Sequence, residues 1–376
     1  MDFSLNSEQR LLQDSVRRYV DRTYGFEART ALAREGRGGS ATRWGQFAEN
    51  GWLMAALPED YGGMGGSLIE TAIIAQELGR GLVLEPYLGC AVLAPQTLAA
   101  GGTAAQKETL LPQLADGSRR IALAYSEPAS RGMPEPVSLR VEIGGAGYVL
   151  HGSKSLVIGA PGADGFIVSA QAAGASDLML LLVDADSSGL TRQALPLHDG
   201  TWVEELTFDG VRVDAANVLD GGLAALRAGL AHGTVALCAD LVGAMEKTIE
   251  LTAEYLRTRQ QFGVAIGTFQ ALQHRIADMA AEMELARSML HAALFSMEND
   301  EEVARQRTLS AAKALVCRAA KFVCAQGIQL HGGIGMTEEY GIGHYYKHAV
   351  VADLLLGSSD RHEAACATAL QNQLCA

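Results

Sequence analysis

Arg259 opens the segment with the most chemical content. In Tyr255-Leu256-Arg257-Thr258-Arg259-Gln260-Gln261-Phe262-Gly263 a long helical pattern breaks near a glycine, and it restarts at Phe269-Gln270-Ala271-Leu272-Gln273. A planar guanidinium beside an aromatic at such a break suits a two-pronged contact to a phosphate. A solvated or salt-bridged loop arginine would give the same residues. A second segment is Gln329-Leu330-His331-Gly332-Gly333-Ile334-Gly335-Met336. Its glycines end a helix and let a ligand approach the backbone closely, although a helix end with no ligand reads the same way. His331 fits a packed histidine better than a base. In a third segment, Tyr125-Ser126-Glu127-Pro128, strand-end hydroxyls and N–H groups would face a flat cofactor, or merely mark a strand entering a turn.

These segments sit in three zones. Residues 1–120 read as helical, with a stripe of Leu11, Leu12, Val16, Tyr19 and Val20 behind Ser7 as N-cap. The run from Pro58 to Gly66 is a glycine-broken loop, followed by an amphipathic stretch from Ser67 to Gly79. Residues 121–221 change to the short period of strands: Ile121–Tyr125, Val137–Ile143, Tyr148–Leu150, Leu156–Ile158, Phe166–Ala170, Leu178–Val183 and Val203–Phe208. Gly144-Gly145-Ala146-Gly147 has the composition of a hairpin connection. With no helical pattern between these strands, the zone reads as an antiparallel β domain. Residues 222–376 are helical again, and Leu272, Ile276, Met279, Met283, Ala286 and Leu290 form a seam spaced four and three apart, as in an antiparallel bundle. Val303 to Gln329 and Ser359 to Leu374 read as further helices. The fold class is α+β.

Composition narrows the function. Of 376 residues, 48% are hydrophobic and 19% charged, enough for a large core split over two or three domains. The net charge of −13 argues against a nucleic-acid partner, which needs a basic face. It leaves room for a small anion held by local arginines. The cysteines Cys90, Cys238, Cys317, Cys324, Cys366 and Cys375 form no metal-spaced cluster and read as small buried hydrophobes. The first ten residues lack the apolar core of a signal peptide, and no apolar run approaches 18 residues, so a cytoplasmic protein without a membrane span is expected.

Taken together, the motifs resemble the acyl-CoA dehydrogenase family from about residue 3 to residue 365. Pro58-Glu59-x-Tyr61-Gly62-Gly63-x-Gly65 is similar to that family's PE-x-YGG-x-G loop, and Ser126-Glu127-Pro128 to its TEP turn. Arg259-x-Gln261-Phe262-Gly263 with Phe269-Gln270 is similar to its R-x-x-FG…FQ segment, and Gln329-x-x-Gly332-Gly333 to its Q-x-x-GG segment. The resemblance implies an N-terminal helical domain, a middle antiparallel β-barrel and a C-terminal four-helix bundle. It also implies FAD, an acyl-CoA substrate, an electron-transfer flavoprotein or similar acceptor, and a homo- or hetero-tetramer built as a pair of dimers. Carried onto this sequence, Arg259, Phe262, Ile266, Gln329 and Gly333, with Phe269 and Gly332 in the same two segments, would hold the pyrophosphate and adenosine of a neighbouring subunit's FAD. Tyr125 and Ser126 would face the chain's own flavin.

The sequence departs from the resemblance where the chemistry should be. The family's usual base is a glutamate in a Y-E-G-T-like segment, and here that segment reads Leu354-Leu355-Leu356-Gly357-Ser358-Ser359, with Leu356 in the glutamate's place. Some members carry the base on the first long C-terminal helix, often beside an arginine; those positions are Gly233 and Thr234. The family's G-x-K-x-W-I-[ST] strand reads Gly152-Ser153-Lys154-Ser155-Leu156-Val157-Ile158, which loses the tryptophan against the flavin and the hydroxyl for N5. The catalytic base is therefore unassigned. The asymmetry resembles the small subunits of two-subunit acyl-CoA dehydrogenases of the pimeloyl-CoA or steroid-thioester type. Alternatives are a self-sufficient dehydrogenase with Asp360 or Asp240 as a relocated base, and a non-catalytic binding protein on the same fold.

Overall fold

A computed structural model describes residues 4–35, 39–144, 147–172 and 177–375. The N-terminal helices are α1 (Ser7–Thr23), α2 (Phe26–Glu35), α3 (Ala41–Glu49), α4 (Leu68–Arg80), α5 (Ala94–Gly101) and α6 (Ala104–Ala115), with a π-helical turn at Tyr87–Leu93. The cap of α1 is Asn6, not Ser7. Its side chain accepts from Gln9 N–H at 2.9 Å while Gln9 Oε1 accepts from Asn6 N–H at 3.1 Å, a reciprocal pair one residue earlier than the serine. Ser67 and Glu70 cap α4 in the same way.

The middle zone holds β1 (Ile121–Ala124), β2 (Arg140–Gly144), β3 (Gly147–Ile158), β4 (Gly165–Ala172), β5 (Leu178–Asp184), β6 (Leu190–Pro196), β7 (Trp202–Asp214) and β8 (Val218–Leu219). They form one sheet in the order β6-β7-β3-β2-β4-β5-β8, with β1 added to β4. Two expectations need correction. The end strands β6 and β8 do not pair, so the sheet is not a closed barrel. Nor is it wholly antiparallel, because β1 and β2 both run parallel to β4. Hairpins join β2 to β3 and β6 to β7, but β1 reaches its partner by a longer route that local turn signals do not mark. Gly144 pairs with Gly147 across the expected hairpin, whose Gly145 and Ala146 lie outside the described residues. The two runs read as separate strands at 148–150 and 156–158 are one strand, β3, with register shifts after Leu150 and after Lys154.

The C-terminal zone holds α7 (Gly222–Thr258), a short hairpin of β9 (Gln260–Gln261) and β10 (Val264–Ala265), then α8 (Gln270–Asn299), α9 (Glu302–His331), α10 (Ile342–Leu354) and α11 (Ser359–Cys375). By length and composition α7 would pass as a membrane span, contrary to the reading of the sequence, but most of its apolar stretch is buried inside the protein. A helix apolar on all sides belongs in a core. Two glycines let it approach α4. A Cβ on Gly79 would lie 2.0 Å from the Asp240 carbonyl oxygen, and one on Gly243 would lie 1.8 Å from that of Gln76. The seam on α8 buries Met279, Met283, Ala286 and Leu290.

Candidate functional site

The end of α7 makes an open patch. At the tip of the β9–β10 hairpin Phe262 has φ +54° and Gly263 φ +81°. Left-handed backbone costs a side-chain-bearing residue roughly 1–2 kcal/mol, and here it holds Phe262 with 90% of its surface exposed. Its ring meets that of Phe269 edge-on at 6.1 Å. Arg259 is exposed, and its guanidinium has no partner among the described residues. Ile266, at the hairpin's base, is half-buried, and its N–H donates to the Arg259 carbonyl at 2.9 Å.

The glycine corner lies beside this hairpin. His331 closes α9 and is buried; its imidazole stacks on Tyr255, four residues before Arg259, at 4.4 Å, and Nδ1 lies 2.7 Å from the Gly327 carbonyl oxygen. It is a packed histidine, and burial lowers its pKa. Gln329 is exposed, and a Cβ on Gly332 or Gly333 would meet nothing within 4 Å. The structure thus gathers Arg259, Phe262, Phe269, Gln329, Gly332 and Gly333 at one end of the bundle: an exposed cation without a partner among the described residues, paired aromatic edges, and glycine backbone with open space beside it, where the Gly332 N–H donates to the Gln329 carbonyl. That set suits a planar, phosphate-bearing ligand brought from outside the chain.

Tyr125 and Ser126 stand differently. Tyr125 is 4% exposed and its hydroxyl donates to the Gly132 carbonyl at 3.0 Å, so its side chain belongs to the core. Ser126 is also buried, and its carbonyl accepts from Ser155 N–H at 2.9 Å. The turn is pinned from beneath by Lys154, whose Nζ donates to Glu127 at 2.6 Å and Ser169 at 2.9 Å. Burial pulls this ammonium down to about 8 against the pull of Glu127. Burial raises the Glu127 carboxyl, but the Lys154 charge together with the hydrogen bonds from Lys154, Leu139 and Ser138 outweighs it and holds the group below its ordinary value. On the adjoining strand Leu156 has φ +52° and is 37% exposed, and Ile158 offers no hydroxyl.

The two positions that could have carried a base come together. A Cβ on Gly233 would sit 3.4 Å from Leu356 Cδ1, and both residues are buried. Leu356 has φ +58° and Gly357 φ +89°. This turn is braced by Lys313, whose Nζ donates to the carbonyls of Ala352 and Gly357 at 3.1 Å, and by His362, whose Nε2 donates to the Leu356 carbonyl at 2.9 Å. Burial lowers the pKa of His362, which leaves a neutral ring. Beside the turn, a cavity of about 640 Å³ is lined by Gly132, Leu230, Thr234, Arg305, Ser310 and Leu356.

Neither alternative carboxylate faces that cavity. Asp360 is exposed in the first turn of α11, where the helix dipole favours it. Asp240 is bound to His348 Nε2, while His348 Nδ1 lies 3.1 Å from Asp199. Burial opposes charge on this imidazole, but Asp240 and Asp199 outweigh it and hold it at about 10. The sequence reading missed His348, Lys313 and His362. His348 lies on α10, a helix short and apolar enough to leave no clear period, and the other two carry no motif.

The comparisons with known proteins agree with this architecture. Residues 6–118 match the model of the acyl-CoA dehydrogenase N-terminal domain, and residues 220–371 that of the C-terminal domain. The mitochondrial isovaleryl-CoA dehydrogenase of Arabidopsis thaliana is 31% identical over 81% of this chain and 76% of its own length. The solved ChsE4–ChsE5 complex from Mycobacterium tuberculosis contains a chain that is 27% identical, with TM-score 0.91 and 99% of both chains covered. A variant of the steroid acyl-CoA dehydrogenase Tcur3481–Tcur3483 contains one that is 29% identical, with TM-score 0.90, covering 99% of this chain and 100% of the other.

Proposed function

The chain belongs to the acyl-CoA dehydrogenase family, and on that premise we propose that it is the base-lacking subunit of a heteromeric, FAD-dependent acyl-CoA dehydrogenase. One observation carries this reading. Both positions for a base are apolar and lie side by side, while Arg259 is exposed and its guanidinium has no partner among the described residues. Two of the solved structures that cover nearly the whole chain are named for pairs of chains, and that supports a division of labour.

The residues of the patch fit FAD held by a neighbouring chain. Arg259 would pair with its pyrophosphate, Gln329 and the bare backbone of Gly332 and Gly333 would approach the dinucleotide, and Phe262, Ile266 and Phe269 would cover its apolar faces. When bound, FAD accepts the hydride from the acyl β-carbon and passes electrons to an electron-transfer flavoprotein or similar acceptor. This chain's share is to bind and orient. At the thioester end Leu356 cannot accept the α-proton, and the His348 imidazolium occupies Asp240, so the partner chain supplies the carboxylate. On its own flavin-facing strand, Leu156 and Ile158 leave neither stacking indole nor hydroxyl.

The test is to purify the chain alone and with a base-bearing acyl-CoA dehydrogenase partner, then to measure FAD per chain and acyl-CoA turnover. One FAD per pair of chains, with turnover only in the complex, is expected. An isolated chain that holds one FAD and turns over an acyl-CoA would end the proposal.

A further inference from the structure

Two cavities flank the turn that carries Leu356. The larger, about 640 Å³, carries Arg227 and Arg305 among its lining residues. The smaller, about 110 Å³, lies among Leu78, Leu84, Tyr87, Leu237 and Val351. They share no lining residue, yet chain neighbours face opposite ones. Leu355 lines the small cavity and Leu356 the large; Ala236 lines the small and Thr234 the large. Next to lining residues of both, three buried residues from separate segments meet. A Cβ on Gly233 of α7 would be 2.3 Å from Leu93 Cδ2 and 3.4 Å from Leu356 Cδ1. Leu93 ends the π-helical turn that also supplies Tyr87 to the small cavity.

We propose that this Leu93–Gly233–Leu356 contact is a partition, and that Leu356 sets how deep an apolar acyl group entering the larger cavity can reach. The inference rests on the proposed function, which puts the thioester end at Leu356, a residue of that cavity's lining. Leu356 is the part of the partition that lines the larger cavity. Gly233 has no side chain, and Leu93 is 1% exposed within a packed helix. The backbone at Leu356 is left-handed, and the bonds from His362 and Lys313 to the turn's carbonyls oppose its relaxation, so the isobutyl group stays against α7. Behind it, the small cavity is apolar on the side of Leu78, Leu237 and Val351, and polar where His348 and Asp240 face it. A saturated tail crossing the partition would pack on the apolar side.

The experiment titrates straight-chain saturated acyl-CoAs of increasing length into the full-length chain by calorimetry. It compares the wild type with Leu356→Ala and with Leu356→Gly, the latter chosen because glycine suits the positive φ. Each methylene that finds buried space tightens binding about fourfold. In the wild type that gain should stop once the tail reaches the partition. In both variants it should continue for several further methylenes. The same limiting length in all three proteins overturns the partition. Failure of any acyl-CoA to bind overturns it as well, by removing the site. FAD stoichiometry in the complex does not depend on either result, so the subunit reading stands or falls separately.

Discussion

His348 should make the stability of this protein depend on pH far above the ordinary range of a histidine. The perturbation is His348→Gln, compared with the wild type from about pH 6 to about pH 11. In the folded chain the imidazole lies between the Asp240 and Asp199 carboxylates and is held at about 10, from an ordinary value of 6.5. A raised pKa on a base means that the folded state binds the proton more tightly than the unfolded state. The stabilisation is therefore complete below about pH 6.5 and is lost as pH rises through about 10. At 1.36 kcal/mol per unit of pKa the difference sets an upper limit of about 5 kcal/mol. The limit is not heavily screened, because the side chain is only 15% exposed and that of Asp199 only 1%. Lys154, held at about 8, titrates in the same window with the opposite sign, since its folded form gives up its proton first. Subtracting the variant's curve from the wild type's removes that contribution. The assay is urea unfolding followed by far-UV circular dichroism at closely spaced pH values. The stability difference should be several kcal/mol at pH 7 and should shrink towards zero by about pH 11. A difference that stays constant across that range would mean that His348 holds no excess proton in the folded state.

The other expectations follow the same residues. Arg259→Ala should weaken FAD retention in the assembled complex by about tenfold to a hundredfold, the worth of a charge-assisted contact of ~1.5–3 kcal/mol; an unchanged flavin absorbance per complex after dialysis would show that the guanidinium does not touch the cofactor. Leu356→Glu should leave the isolated chain inactive, because the flavin-facing strand lacks its contacts too, and should lower stability by about 1–3 kcal/mol by placing a carboxylate against Gly233 and Leu93; turnover by that variant alone would show that a missing base was its only deficiency. Glu85→Gln should stabilise the protein above neutral pH and not near pH 4. Burial raises the Glu85 carboxyl to about 7 and its Oε2 has no partner among the described residues, so the contribution of the raised group is present below about 4.5 and lost through 7. The gain at about pH 8 should reach ~1–3 kcal/mol by thermal or urea unfolding, and a loss of stability there would mean that the carboxylate has a counter-charge.

What could be read from the sequence followed the range of the interactions concerned. The seam of α8 was visible because Met279, Met283, Ala286 and Leu290 repeat at helical spacing along one segment. The break at Arg259–Gly263 was visible because glycine and a change of period mark a turn locally. The parallel pairing of β1 and β2 with β4 was not, since nothing at Ile121 or Arg140 specifies a partner tens of residues away. Tyr125 shows the limit within a motif. Its place in the chain was legible, yet the direction of its ring depended on the Gly132 carbonyl that receives its hydroxyl. The cluster of Asp199, His348 and Asp240 comes from three separate segments with no spacing in common, and only the folded chain reveals it.

The division between the two halves of the site has a physical logic that a merely decayed enzyme would lack. A chain losing an unused site would be expected to let the turn at residues 354–357 relax, since a leucine at positive φ costs energy that nothing repays. Here Lys313 is buried beneath the turn and donates to the Gly357 carbonyl and to those of Ala352 and Asp353 at the end of α10, while His362 donates to that of Leu356. Burying an ammonium without a carboxylate against it is costly unless its donors are well used. The same turn closes on the glycine at residue 132, where a Cβ would be 2.6 Å from Gly357 N. The backbone that would present a base is therefore kept under strain while the base is replaced by an apolar side chain. That combination fits a turn still used for its shape, as the wall of a cavity and the support of α11, and it explains how the thioester end can lose its chemistry while the bundle's other end keeps the exposed arginine, aromatics and glycines a neighbouring chain would need.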